Sequence, residues 1–245
     1  MPGLAKAYIA TIVALATAAL VVVASRWNPE NVGHFVLFFA LAMVASAMKI
    51  RLPGLKTTIS TNFVFILIGI VLFSLSETVL IGLGGALVQS LWKPLQRPKP
   101  VQVLFNGACL TVCTAAAFWA SHAVLALVGS NSTAVTMAVG GCLYVALNTS
   151  LVSLVVSLAE GQSLKHVWPS CYEWTLPYFV VGAAVAGLAS AAGHGTNWAV
   201  TLLVVPVMYF VYLYYRMHIH RVLLENISSA SHESQAMLAG EAQGR

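Results

Sequence analysis

Leu91-Trp-Lys-Pro-Leu-Gln-Arg-Pro-Lys-Pro-Val-Gln-Val103 is the stretch on which the fold turns. It separates two long apolar runs, Val79 to Trp92 and Val103 to Val128. Between Lys93 and Pro100 stand three cations, and Pro94, Pro98 and Pro100 block helix there. A greasy run, a cationic break and a second greasy run is the pattern of two membrane helices joined on the side where lysine and arginine are retained. The cations suit anionic lipid headgroups.

Working outward, the same alternation covers the whole chain. Of 245 residues, 59% are apolar and 8% charged, and there is no Asp. A soluble domain carries about 25% charged residues, so this composition cannot cover a water-facing surface. About 20 apolar residues are needed to cross a bilayer as a helix. Eight candidates meet or approach that length: about Ala7 to Ala24, Val32 to Met48, Ile59 to Leu75, Val79 to Trp92, Val103 to Val128, Ala134 to Ala159, Leu176 to Ala192 and Trp198 to Tyr215. The first resembles a secretory signal, with Lys6 before it and small residues at Ala24-Ser25, but its apolar run is longer than a signal core and it is read as a retained helix. The fold class expected is therefore an all-α polytopic integral membrane protein.

Charge then sets the orientation. With the N-terminus inside, the inner segments hold Lys6, Lys49, Arg51, Lys56, Lys93, Arg97, Lys99, Lys165, Arg216, Arg221 and Arg245, and the outer loops hold only Arg26. Eleven against one fits both termini in the cytoplasm. The net charge of +5 is thus spent on topology and lipid, and no nucleic-acid partner is expected. The organisation expected is residues 1–48 as two N-terminal helices, 49–215 as a six-helix bundle and 216–245 as a cytoplasmic amphipathic tail. A short amphipathic piece is expected on the inner surface over Ser163 to Trp174. Small residues at Gly82, Gly84, Gly85 and Ala86, and at Gly182, Ala183, Ala186 and Gly187, predict close helix packing by the fourth and seventh spans. Pro206 predicts a kink in the eighth near Leu202.

Polar side chains inside apolar runs are the candidate sites. Asn62, Gln89, Asn106 and Asn148 are read either as lining one ligand-binding cavity or as separate interhelical hydrogen bonds. Glu77 and Glu160 are candidate ionisable sites if buried, and ordinary loop carboxylates if not. Cys109 and Cys113 lie one turn apart, but no further ligands complete a zinc set, and packing is the preferred reading. His34 and His122, both toward the outer half, are the only pair suited to haem; no cofactor and no metal site are expected. Catalysis is not expected either. There is no paired aspartate for a magnesium-dependent transferase, no GxSxG elbow and no lysine in mid-helix.

Three stretches together carry a resemblance. They are Ile59-Ser-Thr-Asn-Phe-Val-Phe-Ile-Leu-Ile-Gly69 with Leu83-Gly-Gly-Ala-Leu-Val-Gln89, then Val103-Leu-Phe-Asn106, then Leu147-Asn-Thr-Ser-Leu151 leading to Leu158-Ala-Glu-Gly-Gln-Ser-Leu164 and Val167-Trp168. This pattern resembles the N-terminal membrane sensory module of bacterial HD-GYP and GGDEF signalling proteins, over roughly Lys49 to Arg221. The resemblance implies the bacterial cytoplasmic membrane, a small-molecule or membrane stimulus, and a last helix that runs on toward a protein partner through Tyr215 to Met237. In that family an output domain follows; none is in this sequence, which is read either as a fragment or as a stand-alone module that acts through a partner. The expected function is a non-catalytic membrane sensor or scaffold. The Ile59 to Gln89 hairpin also resembles the substrate-binding S components of energy-coupling-factor transporters, which implies a small-solute-binding component as the alternative. A structural subunit of a larger membrane complex is the third reading.

Overall fold

A computed structural model describes residues 2–27, 32–51, 58–94, 97–129, 132–193 and 202–219, with 221 and 224. Among them the chain forms α1 (Gly3–Ser25), α2 (Val32–Ala47), β1 (Lys49–Arg51), β2 (Thr58–Ser60), α3 (Asn62–Leu72), α4 (Leu75–Leu91), α5 (Pro100–Val128), α6 (Thr133–Glu160), α7 (Leu164–Gly193) and α8 (Leu202–Ile219). The protein is a helical bundle. Four helices, α1, α5, α6 and α8, are long and apolar enough to cross a membrane. The apolar helices Val32–Ala47, Asn62–Leu72, Leu75–Leu91 and Leu176–Ser190, the last lying within α7, are shorter. The outer surface suits lipid: Leu127 is 87% exposed and Phe210 69%.

The sequence of α3 explains its place. It is apolar on every side, and a helix of that kind belongs in an interior. Every residue from Asn62 to Ile70 is buried. The helix packs against α2, α4, α5, α6 and α7, at the centre of the bundle. At 11 residues it rises about 16 Å, half of the roughly 30 Å hydrocarbon core. The expected third span, Ile59 to Leu75, is thus shorter and starts later than its apolar run.

Both ends of α3 have local causes. Before it, Thr58–Ser60 is extended and pairs antiparallel with Lys49–Arg51, with Ile50 opposite Ile59. The all-α architecture carries one small ribbon here, in a stretch where the β-branched Ile50, Thr58 and Ile59 favour extended backbone. The expected inner loop is partly this ribbon; residues 52–57 lie outside the described set. After α3, Phe73 is extended and Ser74 begins α4 with a capping box. The Ser74 amide donates to Glu77 Oε2 at 2.9 Å, and the Glu77 amide donates to Ser74 Oγ at 3.3 Å. The box starts α4 at Leu75, four residues before the expected Val79.

The glycines of α4 make it a hub. A methyl at Gly82 would stand 2.6 Å from Thr114 Oγ1 on α5, and one at Gly84 2.8 Å from the Phe39 ring on α2. At Gly85 it would overlap the Asn62 amide on α3, and at Gly182 the Phe63 ring. These four approaches agree with the small-residue reading. Gly187 has no such neighbour.

α7 differs from expectation. The interfacial piece and the seventh span form one 30-residue helix that carries Pro169 and Pro177 within it. α1 packs through the stripe Ala5, Ile9, Ile12, Ala16 and Val23. Tyr8 donates to the Leu151 carbonyl of α6 at 3.2 Å, and Ser76 to the Val23 carbonyl at 2.8 Å. One hydrophobic core runs from Ile9 and Ile12 of α1, through Phe35 and Phe38 of α2 and the whole of α3, to Met208 and Ile219 of α8. Pro206 lies in the second turn of α8. A kink at Leu202 would involve residues 194–201, outside the described set.

Contacts between elements sort the chain ends into two groups. At one end Lys49 reaches the last turn of α4, and Ser60 reaches Gln89. At the other, Arg26 lies 5.5 Å over the Trp119 ring and His34 lies 5.2 Å from Phe73.

Candidate functional site

The polar side chains of the apolar core gather where α3 begins. Lys49, at the start of β1, donates from Nζ to the Gln89 carbonyl at 2.9 Å and to the Trp92 carbonyl. Those carbonyls end α4, where no further turn donates to them, and a cation there also opposes the negative end of the helix dipole. Ser60 donates to Gln89 Oε1 at 3.1 Å. One residue on, the hydroxyls of Thr61 and Tyr178 are hydrogen-bonded at 2.8 Å, both fully buried. The next residue, Asn62, is 1% exposed and donates through Nδ2 to the Ile81 carbonyl at 3.3 Å. Three consecutive polar residues, Ser60-Thr-Asn62, thus tie the head of α3 to α4 on one side and to α7 on the other.

Tyr178 carries the link further. Its ring meets Tyr215 of α8 edge-on at 5.2 Å and Phe63 at 5.6 Å. Phe63 in turn meets Phe179 at 4.4 Å. A continuous chain of contacts therefore runs from β2 through Thr61 and Tyr178 to the last helix.

The four amide candidates are distributed as follows. Asn62 and Gln89 belong to this site. Asn106 sits on α5 and donates to Ser90 Oγ of α4 at 3.1 Å. Gln89 and Ser90 are neighbours in sequence, so they point about 100° apart around α4, and their partners lie on different elements. Asn148 is on α6, where the Cys109 thiol approaches its Oδ1 to 4.0 Å. Each of the four has its own separate partner: Asn62, Asn106 and Asn148 meet groups on other helices, and Gln89 meets Ser60 of β2. Asn62 Oδ1 is buried without a partner among the described residues.

Glu77 is buried, at 5% exposure, but its carboxylate is committed to the capping box, with Ser74 Oγ also donating to it at 2.8 Å. Glu160 is exposed and ends α6, before Gly161 in the left-handed region at φ 70°. Cys109 and Cys113 are buried one turn apart. Among the described residues no group of three His, Cys or Glu is placed to hold a metal ion. His122 stacks on Phe118, its Nδ1 2.9 Å from the Phe118 carbonyl.

Sequence reasoning missed Lys49, Ser60, Thr61, Ser90 and Tyr178. Thr61 had a signal, since a hydroxyl residue directly before an apolar helix is a start mark. Tyr178 had none, because its partner lies 117 residues away.

The chain matches no known protein family, no curated protein and no solved structure.

Proposed function

We propose that this chain is a non-catalytic integral membrane module of eight helices, with both ends in the cytoplasm of a bacterial cell. It couples a ligand or a membrane state to a cytoplasmic partner through its last helix. One observation carries the reading: Tyr178 joins the head of the central helix to α8. A buried tyrosine that hydrogen-bonds Thr61 and packs on Tyr215 makes the position of α8 depend on that of α3. A stimulus biases such a pair of arrangements only by its difference in affinity for them. Residues beyond 219 would carry the signal outward; of the tail expected over residues 216–245, only 216–219, 221 and 224 are among the described residues.

The alternative, a solute-binding component of a transporter, drew on Asn62, Gln89, Asn106 and Asn148 sharing a cavity. Their separate partners leave it with less support than the coupling reading.

Hydrogen exchange on the full chain in lipid nanodiscs tests the coupling. Tyr178→Ala is expected to change protection across residues 216–237 while the distant α1 keeps its protection. Tyr178→Phe, which keeps the ring and loses the hydroxyl, is expected to give a smaller change of the same sign. Unchanged protection of the tail in a folded Tyr178→Ala protein would overturn the reading.

A further inference from the structure

An apolar groove of about 530 Å3 opens between α1, α4 and α5. Val13 and Leu20 form one wall, Leu83 and Leu87 another, and Leu104 and Ala108 the third. Gly107 keeps it open, since a methyl there would stand 3.2 Å from Leu83 Cδ1. Leu87 and Leu104 are half exposed on its rim, so the groove faces whatever surrounds the bundle.

Its length and its ends narrow the occupant. On α5 it extends from Pro100 to Thr111. The eleven helical steps between them rise about 16 Å, the depth of a single leaflet in a hydrocarbon core of roughly 30 Å. Pro98 and Pro100 line one end, and they alternate in sequence with Arg97 and Lys99, both exposed. Lys93 lies close by in sequence, 5.8 Å over the Trp92 ring. In sequence, no carboxylate occurs from Leu91 to Val128. The site is therefore a hydrocarbon trough one leaflet deep with a cationic mouth.

We infer that the groove binds one anionic phospholipid of the leaflet at the cationic end of the bundle. Its phosphate would rest on Arg97 and Lys99, and one acyl chain would lie along α1, α4 and α5. A free anion has no use for the trough, and a neutral isoprenoid has none for the mouth. The inference rests on the membrane reading and is independent of the coupling through Tyr178.

Lipid titration of the detergent-purified full chain, followed by native mass spectrometry, tests it. Dioleoylphosphatidylglycerol is expected to bind as a single tight copy, well ahead of dioleoylphosphatidylcholine. Arg97→Gln with Lys99→Gln is expected to lower that preference about thirtyfold, the product of two surface cations. Gly107→Leu fills the trough and is expected to abolish tight binding of dioleoylphosphatidylglycerol; Leu104→Trp, changed at the exposed rim, checks the same point if Gly107→Leu fails to fold. Glycerol phosphate without chains is expected not to compete. Equal competition by glycerol phosphate, or undiminished lipid binding in both the charge and the trough variants, would overturn the inference.

Discussion

At the scale of single residues, Asn62 and Gly85 make each other necessary. Asn62 is buried at the head of α3, and its amide occupies the space a side chain at position 85 would need. On helix propensity alone Gly85→Ala should stabilise α4 by about 1 kcal/mol. The overlap reverses the sign, because overpacking a filled site costs about 1–3 kcal/mol. Gly85→Ala is therefore expected to lower stability in a denaturant titration in micelles. Asn62→Ala with Gly85→Ala should recover most of the loss, a coupling a double-mutant cycle reads directly. Independent, additive effects would show that the two do not touch. The sequence made Asn62 conspicuous as an amide in an apolar run, and the glycines of α4 conspicuous as a packing face. It could not pair them, since nothing local states which glycine meets which amide. Tyr178 shows the limit more sharply: as one aromatic among many near the end of an apolar helix, it gains meaning only from Thr61 and Tyr215, which are distant in sequence.

At the scale of elements, ends decided more than interiors. The long apolar runs appear as α1, α2, α5 and α6 within a few residues of their expected limits, because composition over many residues averages out local noise. The shorter ones moved. Ser74 and Glu77 spell a capping box, and that signal was present in the sequence but hidden by an apolar reading that carried the third span past it. Ser74→Ala removes an acceptor for the Glu77 amide and a donor to its carboxylate. It is expected to destabilise the protein by about 1 kcal/mol, whereas Glu77→Gln, which keeps an acceptor for the Ser74 amide, should lose less. Thermal unfolding of the two variants gives the order, and a greater loss in Glu77→Gln would assign the carboxylate a task beyond capping. The other end of α4 offers a matching case. Lys49→Met removes the donor to the last carbonyls and the charge opposing the dipole, and a loss of about 1 kcal/mol is expected. Lys49→Arg should retain part of the effect. The union of the interfacial piece with the seventh span into α7 was not legible. Pro169 and Pro177 argue for a break, and the packing of α7 along α3 and α6 overrides them.

For the whole molecule, the arrangement of ends is the strongest link between sequence and structure. On the proposed threading of eight spans, the cations of the sequence divide eleven to one. The fold brings the start of β1 to the end of α4, so Lys49 and Lys93 fall in one region, and it sets Arg26 over Trp119 elsewhere, beside the contact of α1 with the head of α4. The contact of Lys49 with the end of α4 and that of Arg26 with Trp119 lie in different parts of the fold, which is compatible with the proposed threading. The depth of α3 fits this threading: a half-length helix reached through a ribbon is acceptable in a membrane only where protein surrounds it, and α3 is buried at nearly every residue. Cysteine labelling in intact cells with an impermeant maleimide decides the orientation. Lys99→Cys and Lys56→Cys are expected to react only after permeabilisation, and Ser132→Cys, in the short turn between α5 and α6, before it. Of the four native cysteines, Cys109 and Cys113 are buried in the core and Cys142 lies within α6, and Cys171 is replaced by serine in the parent protein to keep the background low. If Lys99→Cys reacted from outside while Ser132→Cys did not, the threading would be inverted. The lipid groove would then face the opposite leaflet, and the last helix could no longer reach a cytoplasmic partner.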